Sequence, residues 1–559
     1  GTKSAYKAHL EENKITGAVS AKMKRQIHAL KYKPLISIVT PVHDVPVDIL
    51  KNCIDSVINQ IYPNFELCIV DDASTDKKIK SLLEGYAKKD KRIRVQYRKK
   101  NGGIVKASND AIENAKGAYI GFLDNDDTLT PDALFEVAKA LQEEKYDFIY
   151  SDEDKIDEKG NRCEPFFKPS FSPDLLLSIN YTCHFSVYRK KLIKDVGALR
   201  EGFDGSQDYD LALRISEKAK KIKHIPKVLY NWRMIKGSTA GQFDAKPHCF
   251  TSAKEALRET MDRRGIEGKV ADGVWKGSYR VQRALKSRPK VTIIIPFKDK
   301  PEVLKVCLDS LFEKTNYDNY EVILVNNQSE LFETKEYLKT LEEKNVKILN
   351  YDFPFNYAAI NNFAAKQAKG EILVLLNNDV EIITPNWIEA MLEHAQRSDV
   401  GAVGAKLLFP DDTVQHAGTL IGVGGIANHA FLKQLSSDHG YFGQTDLIKN
   451  YSAVTGACLM IRKDVYINCD GLNEKDLGIS FNDVDLCLRL REKGYLIVYT
   501  PYAKLYHHES LSRGYEVAMD EIKFFQREHR GILEKGDPYY NPNLTKERFD
   551  YSLRVEDKL

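Results

Sequence analysis

Four absences narrow what this chain of 559 residues can be. No apolar run approaches the roughly 18 residues that a membrane-crossing helix needs. The nine cysteines (Cys53, Cys68, Cys163, Cys183, Cys249, Cys307, Cys458, Cys469 and Cys487) are scattered. They have neither the spacing of a zinc site nor that of a disulfide framework, which points to reduced thiols in a cytosolic compartment. Lys plus Arg (83) nearly cancel Asp plus Glu (80), and a formal charge of +3 gives no field that would favour nucleic acid. Neither a P-loop lysine motif nor G-x-G-x-x-G occurs, so a phosphate ligand would need another kind of hold. The opening GTKSAYKAHL is neither a signal peptide nor an initiator start, and reads as a trimmed form of a soluble or peripheral protein.

What is present is a repeat. The chain is too long for one core. PLISIVTPVHDVPVDILKNCIDSVINQIYPNFELCIVDDAS (34–74) reads as strand, loop, amphipathic helix and strand. PKVTIIIPFKDKPEVLKVCLDSLFEKTNYDNYEVILVNNQS (289–329) has the same order, pairing Asp44 with Asp299 and Asp72 with Asn327 at an offset of 255. ASNDAIENAKGAYIGFLDND then lies over INNFAAKQAKGEILVLLNND, pairing Asn109 with Asn362 and Asp126 with Asp379 at an offset of 253. GSQDYDLALRI matches SFNDVDLCLRL at 275, because the second copy carries a longer Gly-rich insert around TLIGVGGIANHA. The reading is a tandem duplication of one α/β domain rather than a short-period solenoid.

Four segments follow: a basic helical segment (1–33), a first module (34–285), a second module (286–525) and a tail packing on the second module (526–559). In the first segment Met23, Ile27 and Leu30 stand at helical spacing beside Lys22, Lys24 and Arg25. Such a helix can rest on an anionic membrane surface or cap the domain, and capping is the favoured reading.

Ligands of open parallel sheets sit at the carboxyl ends of strands. IVTPVHD, IVDDAS and FLDNDD are each a strand followed by a polar loop, so Thr40, Asp44, Asp72, Asp124, Asp126 and Asp127 are expected on one crevice. Carboxylates holding Mg²⁺ or Mn²⁺, which in turn hold a diphosphate, are the physical solution open to such a chain. Singly, each motif has a plainer reading: a solvated acidic loop, an Asx-type turn at VDDAS, helix N-terminal acids at Asp208 and Asp210. Recurrence of the whole set favours a site.

The ordered set TPVHD, VDDASTD, Asn109, LDNDD and QDYDLALR resembles the family 2 inverting nucleotide-sugar glycosyltransferases of GT-A fold, over both copies. It is similar to two-domain bacterial transferases that build rhamnose-containing or related surface polysaccharides, as SDEDKID, NNDVEIITPNW and LYHHES also suggest. The resemblance implies two tandem GT-A modules with mixed, mostly parallel sheets. In the first it places Asp72 on the pyrimidine with Thr40 beside it, and Asp44 and Asn109 among the donor-site residues. Asp124 would face the sugar and ribose-phosphate, Asp126 the metal, and Asp208 would be the catalytic base. In the second it implies Pro296, Asp299, Asn327, Asn362 and Asn377 for the donor, Asp379 with His507 or His508 for the metal, and Asp483 as base. The implied cofactor is Mn²⁺ or Mg²⁺. The implied partners are a dTDP- or UDP-linked sugar and a glycan acceptor, polyprenyl-diphosphate-linked, met in the cytoplasm or at the inner membrane face.

The copies differ. The second has VNNQS and LNNDV where the first has VDDAS and LDNDD, but offers His507 and His508 where the first has Asn231 and Trp232. Imidazole suits Mn²⁺-class ions. The difference suggests two donors or two linkages, hence a bifunctional transferase. The rivals are one live module beside a degenerate acceptor-binding one, and a non-catalytic carbohydrate-binding scaffold. A nucleotidyltransferase would need a Gly- and Lys-rich loop that TPVHDVPVD lacks.

Overall fold

The computed structural model describes residues 2–235, 246–509 and 517–555; the end of the LYNWRMIKGST stretch, 236–239, lies outside them. The first sheet has nine strands: β1 (Ile36–Val42), β2 (Phe65–Asp71), β3 (Ile93–Tyr97), β4 (Tyr119–Phe122), β5 (Thr128–Leu129), β6 (Phe148–Ile156), β7 (Arg162–Phe166), β8 (Ser186–Arg189) and β9 (Ile222–Arg233). Their order is β3-β2-β1-β4-β8-β6-β9-β5, with β7 on β6. A hairpin of β10 (Gly268–Asp272) and β11 (Tyr279–Arg283) follows.

The second sheet has ten strands: β12 (Val291–Phe297), β13 (Tyr320–Asn326), β14 (Val346–Asn350), β15 (Ile372–Leu376), β16 (Val380–Ile382), β17 (Val400–Leu408), β18 (Val414–His416), β21 (Lys449–Tyr451), β22 (Cys458–Arg462) and β23 (Leu496–His507). The Gly-rich insert supplies β19 (Thr419–Ile421) and β20 (Ala427–His429), a small sheet of its own. The order β14-β13-β12-β15-β22-β17-β23-β16 repeats that of the first sheet strand for strand, with β18 on β17 and β21 on β23. Both sheets are mixed, with most strands running one way. This is the tandem GT-A architecture that the sequence implied.

The apolar pattern explains why. In β1, Ile36, Ile38 and Val42 enter one core and Val39 the core on the opposite face; in β12, Val291, Ile293 and Ile295 divide likewise from Ile294. The helix Val47–Ile58 buries Leu50, Cys53, Ile54 and Val57, and the helix Pro301–Lys314 buries Leu304, Cys307, Leu308 and Leu311, one stripe at the same spacing. The AKG element common to both copies has a local cause. Gly117 N–H donates to Ser37 Oγ at 2.8 Å and Ser37 Oγ to Glu66 at 2.7 Å; Gly370, Thr292 and Glu321 repeat this at 2.9 and 2.7 Å. A Cβ on either glycine would stand 2.5–2.6 Å from neighbouring atoms, so no larger residue fits.

The N-terminal helix Gly17–Ala29 caps the first module, burying Met23 and Ile27 in its core. The modules are fastened together. Asp174 pairs with Arg397 at 2.7 Å, Ser172 Oγ and Asp174 N–H donate to Asn450 Oδ1, and Phe166 stacks on Phe442 at 3.9 Å. The tail touches both modules. Asp537 accepts from Ile421 N–H and Ser452 Oγ of the second, while Asn541 donates to Asp152 and to the Lys168 carbonyl of the first. Among the described residues no helix is long and apolar enough to cross a membrane.

Candidate active sites

At the carboxyl end of β4, Asp124 and Asp208 line one pocket, although one follows a strand and the other opens the helix Gln207–Lys218. His184, Cys183, Tyr230 and Pro41 are also in its wall. Burial, with Asp126 and Asp208 close by, pushes the Asp124 carboxyl up to about 6, while His184 opposes that rise. Burial also raises Asp126, and raises Asp127 strongly. Asp127 is the structural member of the triplet. Tyr230 OH donates to it at 2.5 Å and Arg233 N–H at 2.9 Å, which ties the loop to β9. Asp208 accepts from Tyr209 N–H at 2.9 Å and Asn180 Nδ2 at 3.2 Å, at a helix N-terminus whose dipole favours negative charge.

The second cleft has the same plan with other groups. Asp379, 3% exposed, lies 3.1 Å from His507 Nε2, and Asn377 Nδ2 is 3.4 Å from the same nitrogen. His507 Nδ1 has no hydrogen-bond partner among the described residues. His508 turns to Glu381, 3.1 Å away. Asp483, opening the helix Asn482–Glu492, accepts from Gly456 N–H at 2.7 Å and Val484 N–H at 2.8 Å. The insert adds His429, whose imidazole burial holds down to about 4 against the opposing charge of Asp483. His416 meets it edge-on at 5.2 Å.

A buried cluster of like charges with few cationic neighbours suits a cation. The Asp124–Asp126 loop and the Asp379–His507 pair both have the donor types for a divalent ion of the Mn²⁺ or Mg²⁺ class.

Several residues expected to touch a donor are otherwise engaged. Asp44 accepts from Thr75 N–H (2.7 Å), Thr75 Oγ1 (3.0 Å) and Asp76 N–H (3.3 Å); Asp299 accepts from Glu330 and Leu331 N–H and from Thr334 Oγ1. Both sit at positive φ, 39° and 49°, and fasten the loop after the first strand of each module to the start of the helix that follows the second strand. Asn109 bonds both peptide groups of Leu199, at 2.8 and 3.0 Å, and Asn362 does the same to Leu472 at 2.8 and 3.0 Å. These amides hold the segments that lead to Asp208 and Asp483. Asp72 is 3% exposed and accepts from Gly102 and Gly103 N–H beside Arg98; Asn327 Nδ2 donates to the Tyr351 and Phe353 carbonyls. Thr40 is wholly buried within β1, its hydroxyl without a partner among the described residues, and Pro41 lines the pocket in its stead. Pro296 holds the place of Pro41 on β12, in register with Val325.

The sheet register corrects one pairing. Thr128 and Glu381 each lie two residues beyond the matched aspartates Asp126 and Asp379, and they stand opposite Asn231 and Tyr506. The counterpart of His507 is therefore Trp232, not Asn231, and that of His508 is Arg233. The matched LY of LYNWR and LYHHE hid a slip of one residue. His184 was also missed. Val187 and Met460 face the matched Gly121 and Val374, so Cys183-His184 stands where the second copy has Gly456-Ala457. Repeat alignment carried through NYTCHFSV would have exposed it.

Comparison with known proteins adds a family. "Glycosyl transferase family 2" matches residues 37–197 and 292–469. A Sinorhizobium fredii protein, y4gI, is 44% identical over 96% of this chain and 60% of its own length. The O-antigen biosynthesis protein RfbC of Myxococcus xanthus is 41% identical over 98% of this chain and 43% of its own. A chondroitin synthase of Escherichia coli is 34% identical over 46% of this chain and 37% of its own. The chain thus spans about half the length of the curated relatives it matches.

Proposed function

The chain belongs to glycosyl transferase family 2, and from that premise we propose that it is a bifunctional, inverting transferase. Each cleft takes a nucleoside-diphosphate sugar, UDP-linked or dTDP-linked with rhamnose among the candidates. The sugars go to a growing surface polysaccharide carried on a polyprenyl diphosphate at the cytoplasmic face of the membrane. The observation that carries this reading is the recurrence in each module of an aspartate loop after the fourth strand and an aspartate opening a later helix: Asp124 with Asp208 in one pocket, and in the second module Asp379, 3.1 Å from His507, with Asp483 and His507 both acting on His429.

In that arrangement Asp208 and Asp483 each take the proton of the acceptor hydroxyl as its oxygen attacks the anomeric carbon. One displacement at that carbon inverts it. Asp126 in the first module, and Asp379 with His507 in the second, would hold a divalent cation, which would supply positive charge to the departing diphosphate. Asn109 and Asn362 are positioning residues that set the two helix N-termini. The O-antigen role of the M. xanthus relative supports a polysaccharide product. Two sites on one chain would also raise the effective concentration of an acceptor passed between them.

The test is nucleoside-diphosphate release from a panel of sugar nucleotides with Mn²⁺ and a lipid-like acceptor, for the wild type, Asp208→Asn and Asp483→Asn. Loss of release from a different donor in each variant supports two enzymes. Loss in one variant alone leaves the other module a binding domain. No release from any donor by the wild type refutes the reading.

A further inference from the structure

Resting on the reading of the first cleft as a donor site, we infer that His184, just before β8, supplies the nitrogen ligand of its divalent cation, from a different part of the fold than the strand end that carries His507 in the second module.

His184 is only 9% exposed and lines the pocket. The ring is held in place by its neighbours. It stacks on Tyr230 at 4.4 Å and 12°, and leans on Trp232 at 5.3 Å. Tyr230 in turn belongs to the aspartate loop: its hydroxyl donates to Asp127 and accepts Asp124 N–H at 3.3 Å. The stack therefore sets the imidazole against the loop. His184 lines the pocket with Asp124 and Asp208 and is the leading charged neighbour of both Asp124 and Asp126.

The register supplies an independent observation. The first module has Trp232 where the second has His507, and the second has Ala457 where the first has His184. Each cleft thus has an imidazole at its aspartate loop, carried at the end of β23 in one module and just before β8 in the other. His184 also lies with Glu153 and Cys183, their ligand atoms all within 4.8 Å. Glu153 is already paired, because the fully buried Lys168 Nζ is 3.0 Å from it. The cation belongs on the aspartate face, with an oxygen–nitrogen donor set that suits Mn²⁺ better than Mg²⁺.

The experiment is pulsed electron spin resonance of Mn²⁺ bound with UDP, reading ¹⁴N modulation and affinity together. It uses full-length protein in a His507→Ala background, which silences the second imidazole. That background should keep an ion with ¹⁴N modulation. Adding His184→Ala should remove the modulation and weaken binding about tenfold or more, and adding Trp232→His as well should restore both, with unchanged circular dichroism throughout. Unchanged modulation after His184→Ala, or modulation lost with affinity unchanged, overturns the inference. Asp126→Asn in the same background separates the two claims. Loss of the ion there keeps the metal-dependent donor site even where His184 fails, whereas retention removes both. If the His507→Ala protein binds no Mn²⁺, the inference falls, and calorimetry with UDP alone decides whether the donor site stands without metal.

Discussion

Replacing Arg397 with Met should unlock the two modules, and the size of the effect follows from what Asp174 would be left with. Asp174 is 3% exposed. Its carboxylate meets Arg397 at 2.7 Å and Asn450 Nδ2 at 2.8 Å, so removing the guanidinium leaves a buried charge with one neutral donor. Stranding one partner of a buried pair in this way costs about 3–5 kcal/mol. The pH dependence supplies a second sign. Burial alone would raise the Asp174 carboxyl, but Arg397 and His394 hold it well below the usual carboxylate range. In the wild type the contribution is therefore present above the unfolded value of about 3.9 and is lost only as pH falls through the depressed folded value. In Arg397→Met the same carboxyl is raised by burial. Its deficit should then shrink as pH is lowered from 7 toward 4. The assay is urea unfolding of wild type, Asp174→Asn, Arg397→Met and the double variant at pH 7 and pH 5. Additivity within about 0.5 kcal/mol, or a deficit that ignores pH, would refute the reasoning.

Asp208→Asn and Asp483→Asn should each lower kcat for one donor by about 10²–10⁴-fold, the range of a general base, with nucleotide affinity measured by calorimetry changed little. Asn362→Ala should cost about 2 kcal/mol by freeing both peptide groups of Leu472, and should lower kcat through the Asp483 helix. A rise in KM with kcat intact would instead make Asn362 a donor contact. Lys449, wholly buried, is held down to about 7 by burial. An unfolded lysine binds its proton up to about 10.4, so wild-type stability should rise between pH 7 and that value. Lys449→Met should remove that slope and be more stable at pH 7 by up to a few kcal/mol, and a parallel pH profile for both proteins would count against it.

The duplication, the two-sheet architecture and the aspartate loops were legible in the sequence because they are local. Buried strands read as short, nearly continuous apolar runs and helix stripes recur every third or fourth residue, and both patterns repeat across 253–255 positions. The capping helix at Met23 and Ile27 was legible for the same reason. What only the tertiary structure decided depends on partners far apart in the chain. Asn109, Asp44 and their counterparts stand in matched motifs, but whether such a side chain faces a ligand or clasps a backbone is settled by the distant segment it meets, Leu199 or Thr75. Trp232 could be set against His507 only through cross-strand register, since a slip of one residue leaves the apolar pattern on either side readable and reverses which group points into the cleft. His184 comes from the segment just before β8, which carries no acidic motif, and nothing in its own neighbourhood of sequence signals the aspartates that β4 and β8, adjacent in the sheet, bring beside it.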